Sequence, residues 1–358
     1  FWLKLIFLQQ PAMRVLSTTA GVFAAAPATM WAGVLTEKPA DMKIHLDKVK
    51  AVHVPVPSIS PTEVLVEVAA SSVNPVDWKL IETAYAQNWT YPHVFGRDFA
   101  GVVVKVGDQV SHLKVGDQVW GDSFALEGGM AQYLAVDASI TGVAPSSITL
   151  PEAAALPLVG LTALQGFTFG GGPWESGRMG TVVLVLGGSG GAGHVAVQLA
   201  KAWGATEVIT TCGTTNVDFC KGLGATRVID YHKQDWHTVV PMQSVDFVYD
   251  TVALAGTGDK VYNVLRENGR FATLLPSGLA SNTTAARRPD VKQEFYLLSE
   301  TGFDRLDVLS KLVDESKMKP HVDSTFALHE LADAFNHSIA GHTVGKISVV
   351  AKQESVLV

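Results

Sequence analysis

Cysteine is nearly absent: the 358-residue sequence holds two, Cys212 and Cys220, and none before them. Two thiols cannot build the disulfide framework of a small secreted domain, so a reducing compartment is expected, with two ordinary thiols near a strand end and a helix. No stretch reaches about 18 uninterrupted apolar residues, the length a spanning helix needs. The nearest, residues 153–169, is broken by Pro157 and by small and polar residues. Basic clusters are lacking too. The net charge is −7 and the nearest basic patch is ARR at 286–288, read here as a solvated loop, so nucleic acid is not the expected partner. Acid is missing before Glu37. Residues 1–29, with Lys4, Arg14 and much Ala, Ser and Thr, have the composition of a targeting peptide. If they are a transit peptide, the expected compartment is a plastid or mitochondrion, and otherwise the cytoplasm. A secretory signal, suggested by the short apolar run ending in AAAPA, fits the missing disulfides less well. With Phe1 first, Met13 and Met30 are alternative starts.

What is present points to two domains. Hydrophobic residues make up 47% of the chain, and its length suits two units of ~100–200 residues each. The most informative run is TVVLVLGGSGGAGHVAVQLAKAW (181–203), an apolar strand passing through a glycine turn into an amphipathic helix. Gly188, Gly190 and Gly193 fit G-x-G-x-x-G, whose glycines serve a tight turn, close approach of backbone to pyrophosphate, and helix-on-strand packing. The helix N-terminus then offers N–H groups and a positive dipole end to an anion. The same residues also spell G-x-S-x-G (Gly187, Ser189, Gly191), the nucleophile elbow of serine hydrolases, with Asp250 and a C-terminal His as the partners such chemistry would need.

The following residues favour the phosphate turn. KAWGATEVITT (201–211) and KGLGATRVIDY (221–231) repeat one helix-end, glycine, strand design, with Gly204 and Gly224 as left-handed helix stops. VDFVYDTVA (245–253) and RFATLLP (270–276) add apolar strands around a helical stretch near Lys260 to Glu267, and VKQEFYLLS (291–299) reads as a sixth strand. Alternating strands and helices predict a parallel sheet covered on both faces. Before this unit, EVLVEVAASSV (63–73), DFAGVVVKVG (98–107), GDQVWG (116–121) and GGMAQYLAV (128–136) read as strands of a twisted small barrel. Residues 148–167 form a helical bridge, and 277–290 a polar loop. A helix over 303–317, a strand over 321–328, a helix over 330–341 and a strand over 345–350 close the chain and rejoin the first unit.

SSVNPVDWK, FGRDFAG, LKVGDQVWG, EAAALPLVGLTAL, the GGSGGAG loop, TTCGTTN, LGATRVIDY and AGHTVGKISVV occur in this order. Together they resemble the medium-chain dehydrogenase/reductases, within them the zinc-free quinone oxidoreductase branch, and more narrowly the chloroplast-envelope quinone oxidoreductase homologues and alkenone reductases. The resemblance spans roughly Trp31 to Val350. It implies a GroES-like β-barrel catalytic domain over 30–155, completed by 318–352, and a Rossmann doubly wound parallel-sheet domain over 156–317 that binds NADPH. It also implies reduction of a quinone or of the C=C bond of an α,β-unsaturated carbonyl, with homodimers common among relatives. Zinc-dependent members carry an early catalytic Cys, a Gly-His-Glu motif and a four-cysteine lobe. Here the matching stretches read SSVNPVDWK and FGRDFAG, so no thiolate zinc lobe can form and no metal is expected. A His/carboxylate site drawing on His93 and Asp98 lacks support, because the eleven histidines show no paired ligand spacing.

Candidate site residues follow. Gly188, Ser189, Gly190, Gly191, Ala192 and Gly193 are expected to cradle the cofactor phosphates. The second strand ends in TTCGTTN (210–216) without the carboxylate that selects NAD, leaving neutral donors from Cys212 through Thr214 to Asn216 for a 2′-phosphate. Asn216 serves equally well as a helix cap. Lys221 is expected to face solvent, and Tyr231 matches a tyrosine near the adenosine phosphate. Thr162 matches a threonine at the nicotinamide end, although a helical Thr also bonds its own preceding turn. By the same resemblance Thr251, Leu275 and Lys346 contact cofactor. Asn74 is expected at both cofactor and substrate: its amide can donate and accept, and Pro75 holds it extended. Asp77 and Lys79 are candidates for polarising the substrate or for an ordinary ion pair. Charge developing on the acceptor oxygen needs hydrogen-bond donors, and no residue stands out as the proton donor. The alternatives are a hydrolase using Ser189 and a non-catalytic NADPH-binding protein.

Overall fold

A computed structural model describes residues 26–124, 128–174 and 180–351. Most of the segment read as a targeting peptide lies outside the described residues. Two sheets organise the rest. The first has seven strands in the order Val322–Ala327, Lys346–Val350, Glu63–Val73, Asp98–Val106, Gln118–Asp122 and Thr141–Val143, with Tyr133–Asp137 also paired to Glu63–Val73. A three-stranded sheet of Val49–Pro55, Thr29–Leu35 and His93–Val94 lies beside it. The C-terminal strand Lys346–Val350 is antiparallel to Glu63–Val73, with Ile347 opposite Val73 and Ser348 opposite Ser72. That register carries Lys346 to the end of the strand that runs into Asn74.

The second sheet is wholly parallel and runs Arg227–Asp230, Glu207–Cys212, Val182–Leu186, Val245–Asp250, Leu265–Thr273, Lys292–Phe295. Numbered along the chain, this is the order 3-2-1-4-5-6, whose reversal lies between Val182–Leu186 and Val245–Asp250. Ligands bind at such a crossing, outside the carboxyl ends of the strands. All five residues of Val182–Leu186 are buried, as a strand covered on both faces requires. Ala153 ends the separate Leu150–Ala153 helix, and most of the apolar run at 153–169 forms the Pro157–Phe169 helix. Leu161, Leu164 and Phe167 are buried there in one core with Val183, Val195, Leu199 and Tyr249. Its hydrophobicity therefore belongs to a domain core. No helix among the described residues is long and apolar enough to cross a membrane.

Two local expectations are corrected. The helix expected near 260–267 spans Thr257–Val264, and the next strand takes over at Leu265, paired in parallel with Val245. The polar stretch at 277–290 holds a short helix, Asn282–Arg287, whose cap is the Ser281 hydroxyl accepting the Thr284 N–H. Arg288 of the ARR patch is no solvated side chain. It donates to the carbonyls of Tyr262, Leu265 and Arg266 and pairs with Asp290 at 2.7 Å, stapling the loop to the sheet.

Candidate active site

The glycine loop leaves the sheet at Leu186. Gly187 makes the turn with φ +83°, a left-handed conformation that favours glycine, so the tight turn falls one residue before the Gly188 expected for it. The turn is braced from neighbouring strands. The Gly187 N–H donates to the Thr211 hydroxyl at 2.9 Å, the Gly188 N–H to the Thr211 carbonyl at 2.9 Å, and the Thr251 hydroxyl to the Leu186 carbonyl at 2.7 Å. A Cβ at Gly193 would collide with the Gly187 carbonyl oxygen, and one at Gly188 with the Thr210 side chain. At Gly190 nothing lies nearer than 3.6 Å. The loop is thus packed hard beneath and open above, where the Gly191–Ala202 helix begins. That shape fits an anion held against backbone N–H groups.

Beside it, Asn216 precedes the Val217–Gly222 helix without a side-chain cap bond, and its Nδ2 donates to the Ser189 hydroxyl at 3.3 Å. It faces the glycine loop instead of capping. The Asp230 carboxylate, at the end of the neighbouring strand, pairs with Lys233 at 3.1 Å and accepts the His232 N–H. Tyr231 is exposed, with its hydroxyl beside Gly213, and Lys221 is exposed and paired with Asp218. Cys212 departs from expectation. Its side chain is buried, as is that of Cys220, so its thiol is not exposed to a phosphate; burial pushes both thiols up. The donors at this strand end reduce to Thr214, Thr215 and Asn216.

Among the described residues no histidine or carboxylate bonds the Ser189 hydroxyl, which accepts from Asn216 Nδ2. The nearby His194 donates from Nδ1 to the Gly190 carbonyl and accepts the His321 N–H on Nε2, and burial pushes its pKa down to about 4. Asp250 spends one carboxylate oxygen on the Val252 and Ala253 N–H groups.

Across from the glycine loop lies a cluster of side chains. Asn74 is buried, and Pro75 starts the short Pro75–Lys79 helix. The Asp77 carboxylate accepts the Asn74 backbone N–H at 2.7 Å, closing the helix start. The Asp77 N–H goes to the Asn74 carbonyl at 2.9 Å, and the Asn74 side chain makes no cap bond. Its Oδ1 accepts from the Lys346 ammonium and its Nδ2 donates to Asp98 Oδ2 at 2.7 Å. Asp98 also accepts from the Ser72 hydroxyl at 2.5 Å, and its other oxygen takes the Leu158 N–H at 2.7 Å. Leu158 lies in the first turn of the Pro157–Phe169 helix, where N–H groups have no intrahelical partner and a carboxylate meets the positive dipole end. Lys346 donates to the Val73 carbonyl at 2.9 Å and lies 3.3 Å from Asp98 Oδ2. Asp77 stands behind this group. Its pKa is pushed up to about 7 by burial, with Asp98 adding to the rise and the Asn74 N–H, Lys346 and Arg97 opposing it. Its Oδ1 has no partner among the described residues.

The two walls enclose a cleft of about 270 Å³ lined by, among others, Asn74, Leu158, Thr162, Gly190, Thr251 and Lys346. Gly191 and Ala192 line it as well. The Thr162 hydroxyl donates to the Leu158 carbonyl at 2.7 Å, the back-bond of a helical threonine, and Thr162 lines the cleft. Leu274, not Leu275, lines the cleft; Leu275 is 41% exposed beyond the strand end. Lys79 is exposed with its ammonium over the Trp78 ring, away from the cleft lining. Asp98 is the residue that sequence reasoning undervalued, weighing it only as a metal ligand. The available signal was a carboxylate at the head of an apolar strand, FGRDFAGVVV, where burial demands several partners.

Residues 60–157 match a family described as alcohol dehydrogenase GroES-like domain, and residues 223–349 one described as zinc-binding dehydrogenase. The donor set does not fit the metal in the second description. Among the described residues no three His, Cys, Asp or Glu side chains gather, and the Lys346 ammonium already sits between the Asn74 and Asp98 oxygens. The chain is 37% identical to the chloroplast envelope quinone oxidoreductase homolog of Arabidopsis thaliana, over 83% of this chain and 92% of that protein. It is 34% identical to the chloroplastic NADPH-dependent alkenal/one oxidoreductase of the same plant, over 82% and 73%. The quinone oxidoreductase structure from Coxiella burnetii superposes with a TM-score of 0.79 at 29% identity, over 90% of this chain and 100% of that one. With its glycine-loop parallel sheet, its barrel closed by both ends of the chain, and relatives of this identity over most of its length, the chain belongs to the medium-chain dehydrogenase/reductase family, built from a GroES-like domain and a Rossmann domain.

Proposed function

We propose that the protein is an NADPH-dependent reductase of quinones or of the C=C bond of α,β-unsaturated carbonyls, working without a metal. The observation that carries this reading is the pairing, in one cleft, of an open glycine loop with a buried amide donor. An amide nitrogen carries two hydrogens. One of those on Asn74 goes to Asp98, and the other is uncommitted among the described residues.

When bound, NADPH supplies a hydride. The N–H groups at the start of the Gly191–Ala202 helix, with Gly188 to Gly193, would hold its pyrophosphate, and Thr214, Asn216 and Tyr231 would take the 2′-phosphate, since no carboxylate stands at the second strand end. Thr162, Thr251 and Leu274 would hold the nicotinamide end. The second Nδ2 hydrogen of Asn74 donates to the acceptor oxygen as negative charge builds there, and such a donor acts strongly because it is fixed and shielded from water. Asp77 acts behind Asn74 by holding its backbone. Among the described residues no carboxylic acid lines the cleft, and the Lys346 ammonium has its donors committed, so in this reading solvent delivers the proton to the α-carbon of an enone or to the oxygen of a quinone. In this reading the domain limits are 30–155 with 318–352, and 156–317.

Stopped-flow oxidation of bound NADPH and NADH across a panel of quinones and enones tests the proposal. Turnover with NADPH preferred is the expected result. Cofactor binding without turnover of any acceptor would leave a non-catalytic binding protein, and preference for NADH would overturn the reading of the second strand. A plastid or mitochondrial location belongs to the same proposal, in line with chloroplastic relatives, and N-terminal peptide mapping of the native protein tests it. So does a homodimer, which light scattering checks.

A further inference from the structure

The resemblance expects Lys346 to contact cofactor, yet a lysine ammonium has three N–H donors and no acceptor. In this structure those donors meet the Val73 carbonyl, Asn74 Oδ1 and Asp98 Oδ2. None is left for a phosphate. Lys346 is 3% exposed and Asp98 is fully buried, so both charges depend on these partners. The two ends of the Asn74 amide therefore lie between opposite charges, ammonium at the oxygen and carboxylate at the nitrogen. Turning the amide over would set Nδ2 against the ammonium and Oδ1 against the carboxylate, and both contacts would become repulsive. A neutral amide alone has no such preference.

We infer that Lys346 and Asp98 are positioning residues for the reaction: the ion pair locks the Asn74 amide in one orientation and aims its remaining N–H into the cleft. The inference rests on the proposed reductase reading. A second observation ties this lock to the opposite wall. The Gly345 N–H donates to the Ser189 carbonyl at 2.9 Å, and the Lys346 N–H to the His321 carbonyl at 2.9 Å. The dipeptide that carries the ammonium is thus bonded to the phosphate loop, which sets the distance between cofactor wall and oxygen donor. Asp98, through Leu158, fixes the helix that carries Thr162.

The test is a double-mutant cycle between Asn74→Ala and Lys346→Met, with Asp98→Asn/Lys346→Met as the variant that removes both buried charges together, and Lys346→Arg as the conservative one. NADPH affinity is read separately by fluorescence titration. Lys346→Met should lower kcat by about tenfold in the wild-type background but by less than about twofold when Asn74 is already Ala, because residues acting as a unit are not additive. Lys346→Arg should recover most of the loss, and the NADPH Kd of the charge-free variant should stay within about twofold of wild type. A tenfold rise in NADPH Kd with kcat intact at saturation would make Lys346 a phosphate ligand and overturn the inference. Equal losses in both backgrounds would overturn it too. If wild-type protein reduces the acceptor panel while the cycle fails, the positioning role falls and the reductase reading stands. If wild type turns over nothing, that reading falls first.

Discussion

The Gly187–Gly193 wall of the cleft is made of backbone, whereas the wall at Asn74, Asp98 and Lys346 is made of side chains drawn from strands far apart in sequence. One is a local object. Its turn and its open N–H groups lie within seven consecutive residues, whose main demand on composition is glycine at the crowded positions, with Thr210, Thr211 and Thr251 packing and bracing them from neighbouring strands. The other exists only after Lys346–Val350 has paired with Glu63–Val73 in the right register and Asp98 has met the first turn of the Pro157–Phe169 helix. In the proposed reading the backbone wall binds phosphates and the side-chain wall sets the chemistry that follows. Substitutions should therefore split cleanly into binding defects on one wall and rate defects on the other.

The largest binding defect is expected from Gly193→Ala, which forces a methyl against the Gly187 carbonyl. Overpacking of about 1–3 kcal/mol corresponds to roughly 5- to 150-fold weaker NADPH binding. An unchanged titration would show that the loop does not hold the cofactor. A smaller effect belongs to Asn216→Asp. A carboxylate beside the 2′-phosphate should lower the NADPH-over-NADH preference by about tenfold while leaving NADH use nearly constant. Parallel kcat/KM measurements with the two cofactors read this directly.

Asp77 sharpens the comparison through pH. Its folded pKa of about 7 stands above the ordinary 3.8, so the folded chain keeps this proton to a higher pH than the unfolded chain does. The stability it contributes is complete below about pH 4, is lost as pH rises toward 7, and changes no further above that. Asp77→Asn keeps an acceptor for the Asn74 N–H but cannot ionise. It should melt at a higher temperature than wild type at pH 8 and lose that advantage at pH 4; an equal difference at both would mean Asp77 does not titrate in this range. The smallest effect is expected from Ser189→Ala, with NADPH oxidation retained within about threefold, since the loop binds by backbone. Loss of activity would revive the nucleophile.

The sequence made the backbone wall legible because each of its requirements is local. Gly204 and Gly224 stop their helices at φ +90° and +107°, and the repeated strand units lie side by side in the sheet. The side-chain wall was half legible. Asn74 stood out by its Pro75 neighbour, but nothing along the chain shows Lys346 arriving opposite it or Asp98 bridging both. Orientation was hidden in the same way. Cys212 lies at the expected strand end yet its side chain is buried, Arg288 turns into the carbonyls of a neighbouring strand, and Leu274 takes the place expected of Leu275. Each depends on which face the strand or loop presents after packing, and one residue of phase reverses it.

The most direct measurement is single-turnover oxidation of bound NADPH by one quinone and one enone, comparing wild type with Asn74→Ala and checking NADPH affinity of both. Loss of a fixed oxygen-stabilising donor should slow the reaction by about a hundredfold or more at nearly constant NADPH affinity. A wild-type rate in the alanine variant would contradict the role of Asn74, and with it the division of labour between the two walls.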